Sequence, residues 1–157
     1  MTPRGHMATS GALGVSLATP MIESGEWLRA GVVVAAALAG ARAPDALEMY
    51  RWRGGKRYSL IPHRTLTHWP PVWIIAIGAT YPLTPPAYHL ALTTLLLSVA
   101  LHLLFDALTP SGIPLLWPFG RRTSMRLYRT GDWASEARLT LILWIAAGPP
   151  AIWAIIS

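Results

Sequence analysis

The sequence predicts an all-α, polytopic membrane protein in which four to five apolar helices form one domain over residues 1–157. Composition indicates this class, because 53% of the residues are hydrophobic and the mean hydropathy is +0.40. Charged residues make up only 13% of the chain, whereas roughly 25% is typical of soluble domains. So few charges cannot cover a water-facing surface. The length of 157 residues fits a single domain.

Five apolar stretches are the candidates for these helices. In chain order they cover residues 6–22, 27–43, 66–81, 87–108 and 139–156. The first is short for a membrane span and suits a buried or half-inserted helix. The stretch 87–108 is the clearest span, because about 20 apolar residues are needed to cross a bilayer. Pro149 and Pro150 predict a kink in the last helix.

Basic residues are concentrated on one side of this topology. If the connections alternate, the N-terminus and residues 44–65 and 109–138 share one side. Twelve of the thirteen Lys and Arg residues belong to it when Arg42, at a helix end, is counted with the nearer side. The positive-inside rule makes that side cytoplasmic and places the C-terminus outside when there are five spans. The net charge of +6 is therefore better explained by topology and by contact with membrane lipid than by nucleic acid. The sequence does not indicate an oligomeric state.

Histidine and acidic residues gather at the same predicted face. His102 and Asp106 are four apart, so a helix presents them on one side. Ionisable groups in an apolar helix need partners and are candidates for function. The other members at helix ends on this side are His6, Asp45, Glu48, His63 and His68. His89 lies at the opposite end and is interpreted as an ordinary interfacial histidine.

These side chains predict a site for a divalent metal. The chain has no cysteine, so the ligands must be imidazole nitrogens and carboxylate oxygens, which suit zinc and also allow manganese. The predicted ligands are His63, His68, His102, Asp106 and Asp45, with His6 as a further candidate. Each residue also has an ordinary explanation, such as a satisfied core histidine or a turn aspartate. Their grouping at one face favours a site.

Three further residues are candidates for catalysis. Arg64 and Thr67 lie beside the two histidines and suit an anionic substrate, because guanidinium donors match phosphate oxygens. Glu48 is a candidate general base. The hypothesis is attack on a phosphoester by water that the ion activates.

Four segments of the sequence resemble the YdjM-like family. They are 2–6, 43–45, 62–68 with His-Arg-x-x-Thr-His, and 101–119 with His-x-x-x-Asp-x-x-Thr-Pro-x-Gly. The family is described as LexA-regulated, metal-dependent hydrolases associated with the bacterial inner membrane. Its distant similarity to zinc-dependent phospholipase C and P1-type nucleases implies a phosphoester or lipid substrate.

The sequence departs from the family pattern after Pro44-Asp45. Members commonly read Pro-Asp-x-Asp-His, whereas Leu47 and Glu48 occupy the last two positions here. Glu48 could act as a substitute ligand or base, or the change could remove one metal or all catalysis. Two other functions therefore stay open. One is a catalytically inactive membrane module that binds a lipid or protein partner, and the other is a small transporter.

Overall fold

A computed structural model describes residues 1–48, 50–53, 56–59, 61 and 64–156. It contains five α-helices: α1 (Pro3–Glu23), α2 (Trp27–Ala46), α3 (Pro70–Thr80), α4 (His89–Leu108) and α5 (Trp133–Ile156). Short strands form two antiparallel pairs, β1 (Tyr50–Arg53) with β2 (Lys56–Ser59) and β3 (Ile113–Pro114) with β4 (Arg122–Thr123). The helical fold class is confirmed, and the strand pairs are additions that hydropathy did not predict.

The ends of the helices follow from local chemistry. Thr2 caps α1, since its hydroxyl accepts a hydrogen bond from the Gly5 amide at 3.2 Å, and Pro3 starts the first turn. Pro70 likewise begins α3 after the extended residue Trp69. Thr109, which is extended and precedes a proline, ends α4. His68 therefore lies on a 3₁₀ turn (Leu66–His68) before α3, although the sequence had placed it within a continuous apolar helix.

Helices α1, α2 and α4 form the centre of the molecule. Helix α1 packs between α2 and α5, while α4 packs between α2 and α3. Glycines allow the close approach: a Cβ atom on Gly14 would lie 2.7 Å from the Cβ of Ala37. A separate apolar cluster holds α3 and β3 against α4 and consists of Trp73, Val99, Leu103 and Ile113.

One helical segment in the described part of the chain, Pro86–Leu108, is long and apolar enough to cross a membrane. The expected four to five spans are thus not confirmed, and the shorter segment Pro70–Leu83 is apolar but below spanning length. Apolar side chains nevertheless face outward on α3 and α5, where Ile75, Ile142 and Ile145 are more than 60% exposed. Helix α5 begins at Trp133, earlier than predicted, and continues through both prolines.

Candidate metal centre

His102 lies on the inner face of α4, is 1% exposed and points its ring between α1 and α2. Its Nδ1 atom is 2.8 Å from the carbonyl oxygen of Ala41 on α2. A carbonyl can only accept, so Nδ1 carries the proton and donates. The Nε2 atom of the neutral ring therefore presents a lone pair, which is the form that binds a metal.

That lone pair faces two carboxylates. The Nε2 atom of His102 is 3.8 Å from Oδ1 of Asp45 and 3.8 Å from Oδ2 of Asp106. It is buried and has no hydrogen-bond partner among the residues that the structure describes. A buried lone pair opposite anionic oxygens is unfavourable unless a positive charge lies between them. The arrangement therefore fits a bound cation.

His68 completes this group from the 3₁₀ turn. Its Nε2 atom is 3.4 Å from Oδ1 of Asp45 and 3.5 Å from Oδ2 of Asp106. Burial opposes the charged form of the His68 ring, but the carboxylates of Asp106 and Asp45 outweigh it and raise the pKa of the imidazole. Two carboxylates thus create a strongly cation-attracting point between the two histidines.

Four of the distances between these atoms are close to those of a tetrahedral zinc site. Bonds of about 2.0–2.2 Å to nitrogen and oxygen give ligand-to-ligand distances of about 3.3–3.6 Å in a tetrahedron. The two distances from His68 are 3.4 and 3.5 Å, and the two from His102 are 3.8 Å. Asp45, His68 and His102 offer ligand atoms that all lie within 4.8 Å of one another and could hold one ion, with Asp106 close to both histidines.

Behind this group, the second oxygen of Asp106 binds positive charge. Its Oδ1 atom accepts from the α-amino group of Met1 at 2.9 Å and lies 2.9 Å from Nη2 of Arg64. Arg64 is 5% exposed and has a left-handed backbone with φ of 58°, and Nη1 donates to the hydroxyl of Thr109 at 3.0 Å. These contacts fix Asp106 so that Oδ2 stays directed at the two histidines.

His6 supports the same region from α1. Its ring stacks on His102 with centroids 3.7 Å apart and an angle of 13° between the planes. Its Nε2 atom is 3.4 Å from Oδ1 of Asp106, and a second group of possible ligands, His6, His102 and Asp106, lies within 4.8 Å. Because both groups need the single Nε2 atom of His102, the residues described fit one ion better than two.

Thr67 and Glu48 contact the opposite side of the His68 ring. The hydroxyl of Thr67 is 3.1 Å from Nδ1 of His68, and Oε1 of Glu48 is 3.9 Å from the same atom. Both side chains are buried. This position suits orientation of the imidazole. Contact of Thr67, Glu48 or the buried Arg64 with a substrate stays a prediction.

Of the two remaining histidines, His63 was predicted as a metal ligand and His89 as an ordinary interfacial residue. His63 is outside the residues that the structure describes. His89 lies at the far end of α4, where its Nε2 atom is 2.9 Å from the carbonyl oxygen of Thr84. Sequence reasoning did not find Ala41, whose carbonyl sets the tautomer of His102 from one turn before Asp45. It also did not find Met1, because no sequence pattern marks an amino group as the partner of a carboxylate.

Comparison with known proteins shows the family of this chain. The profile of the family described as YdjM inner membrane protein matches residues 1–156. The chain belongs to this family. The proteins named inner membrane protein YdjM in Escherichia coli (strain K12) and Shigella flexneri are each 30% identical to it over 133 residues, covering 75% of this chain.

The chain spans 66% of the length of these curated relatives. No solved structure matches it. The family description and the names of the relatives state a membrane location and no reaction. They confirm the resemblance to the YdjM family, while hydrolysis, regulation by LexA and similarity to phospholipase C or P1-type nucleases remain outside what the comparisons show.

Proposed function

We propose that this protein is a metal-dependent hydrolase bound to the bacterial inner membrane, acting on a phosphoester or lipid at the cytoplasmic face. The observation that supports this most is that the Nε2 atoms of His68 and His102 each lie 3.4–3.8 Å from a carboxylate oxygen of Asp45 and of Asp106. The membrane location rests on family membership, and the cytoplasmic orientation rests on the distribution of arginines.

Zinc is the favoured ion, since imidazole nitrogens and carboxylate oxygens match its preferences, and manganese is the alternative. A divalent cation in this position would lower the pKa of water and polarise a phosphoryl oxygen. Neighbouring groups hold two of the ligands in position. His102 is held in one tautomer by Ala41, and Asp106 is held by Arg64, so neither has to reorganise when a substrate binds.

Asp45 is the proposed ligand at which the centre is open to solvent. Its side chain is 35% exposed, whereas those of His68, His102 and Asp106 are at most 2% exposed. A cavity of ≈ 170 Å³ opens beside it, lined by Pro3, Ala41, Arg42, Asp45 and Ala46. The exposed Arg42 side chain at this opening suits the anionic group of a phosphoester. A substrate would therefore approach between the start of α1 and the end of α2.

A structural metal centre is the second candidate. Three of the four ligands are almost completely buried, and closed four-ligand sites are typical of structural zinc. Leu47, in place of the acidic residue common in the family, is 55% exposed and offers no ligand. Such a centre would fix α2, α4 and the 3₁₀ turn together in an inactive membrane module.

Hydrolysis of bis(p-nitrophenyl) phosphate and of phospholipid vesicles by the detergent-purified protein distinguishes the two functions. We expect turnover that requires zinc or manganese and that falls at least about 100-fold in Asp45→Ala, because a ligand at the entrance is lost. Glu23→Ala is the control, since Glu23 is an exposed carboxylate at the opposite end of α1. Tight stoichiometric metal binding without turnover of any phosphoester would contradict the hydrolase and support the structural centre.

A further inference from the structure

The connection between α4 and α5 exposes a group of large apolar side chains. Its exposed fractions are 94% for Leu116, 70% for Leu127, 63% for Trp117 and Phe119, and 62% for Met125. We refer to these five residues as the apolar rim. So many exposed apolar side chains on one connection, with two aromatic rings, are uncommon on surfaces that face only water. The rim therefore needs an apolar environment.

Positive charge surrounds the apolar rim. Arg121, Arg122 and Arg126 lie between its residues in the sequence, Arg129 follows it, and all four are exposed. Residues 109–131 contain no acidic residue, and the first one after them is Asp132. Apolar and aromatic side chains next to arginines are the combination that binds the interfacial layer of an anionic bilayer, where the rings enter the headgroup region and the guanidiniums meet phosphate.

The rim is held in place by backbone contacts to the end of α4. The amide of Met125 donates to the carbonyl of Ala107 at 2.9 Å, and that of Leu127 donates to Leu108 at 2.8 Å. The buried residue Ile113 belongs to the core and pairs with Thr123. Because these contacts anchor the connection from within, its exposed side chains are presented outward in a fixed arrangement.

The position of the rim in the fold indicates that the membrane covers it. Helix α4 belongs to the segment that is long and apolar enough to span a membrane, and that segment ends at Leu108, immediately before the connection. We propose that the apolar rim inserts into the headgroup layer of the anionic leaflet at which α4 ends, with Arg121 and Arg129 bound to lipid phosphate. This proposal is independent of whether the metal centre is catalytic.

Site-directed spin labelling can test the insertion directly, because the chain contains no cysteine. A nitroxide is attached to Leu116→Cys in the full chain, which is reconstituted in vesicles of phosphatidylcholine with phosphatidylglycerol. Collision with oxygen, which concentrates in lipid, is compared with collision with a water-soluble nickel chelate. Thr130→Cys is the matched control, since Thr130 is exposed in the same connection outside the rim.

We expect a several-fold higher ratio of oxygen to nickel collisions at position 116 than at position 130. The ratio at 116 should fall in Arg121→Gln/Arg129→Gln and in vesicles of phosphatidylcholine alone. Equal ratios at the two positions in anionic vesicles would overturn the proposal. Strong dipolar broadening between labels at 116 would also overturn it, because that result would show a second copy of the chain on the rim.

Discussion

His102→Ala is expected to remove stoichiometric zinc from the purified protein and to weaken zinc binding by at least about 100-fold. The substitution deletes the nitrogen that faces both Asp45 and Asp106 at 3.8 Å. It also leaves the carbonyl of Ala41 without the ring donor. The ion therefore loses one bond, and the other ligands lose a neighbour that is fixed in position. Metal content in mild detergent and competition with a chromogenic chelator measure the change.

His89→Ala is the matched control for this experiment. His89 lies on the same helix but at the opposite end, where its Nε2 atom contacts backbone carbonyls of Thr84 and Tyr81. Its replacement should leave one zinc ion per chain at unchanged affinity. Equal metal content in the two variants, or loss of metal from His89→Ala alone, would contradict the assignment of His102 as a ligand.

Gly40→Ala is expected to destabilise the folded protein by about 2 kcal/mol through overpacking. A Cβ atom at Gly40 would lie 2.5 Å from the carbonyl oxygen of Leu95 and 2.8 Å from the Cβ of Ser98. A shift of the α4 backbone would cost free energy, so α2 must move away from α4. Because Ala41 and Asp45 belong to α2, zinc affinity should fall with stability, as denaturant unfolding in detergent with and without zinc would show.

Gly31→Ala tests whether this effect is specific to the contact between helices. Gly31 also lies in α2, and a Cβ atom there would meet nothing within 4 Å. Alanine is the better helix former by about 0.5–1 kcal/mol, so this variant should equal or exceed the natural protein in stability. A Gly40→Ala variant as stable as Gly31→Ala would show that α2 and α4 are not packed as closely as described.

Much of the candidate site could be anticipated because its residues follow simple rules. His102 and Asp106 are four apart on the most apolar helix, so their common face follows from helical geometry. The distribution of arginines then grouped the ends of other apolar stretches on the same side. Asp45, His68 and His6 do lie near His102 in the structure, and these ends meet because α1, α2 and α4 pack together.

Other features required coordinates. The direction of a side chain within a short turn is set by contacts made far along the chain, and hydropathy does not record them. Arg64 turns inward onto Asp106 and Thr109, and the sequence did not predict either partner. The expected four to five spans are also not confirmed, because α1 and α2 are rich in small residues whose hydrophobicity is modest and whose inner faces are buried by neighbouring helices.

X-ray absorption spectroscopy at the zinc edge of the reconstituted protein is the most direct measurement of whether these ligands share one ion. Two imidazoles and two carboxylates predict a first shell of only nitrogen and oxygen at about 2.0–2.1 Å. The outer-shell signal should correspond to two imidazole rings and should fall to one in His68→Ala. A spectrum without imidazole scattering, or one that His68→Ala leaves unchanged, would contradict the convergence of His68 and His102 on a common metal.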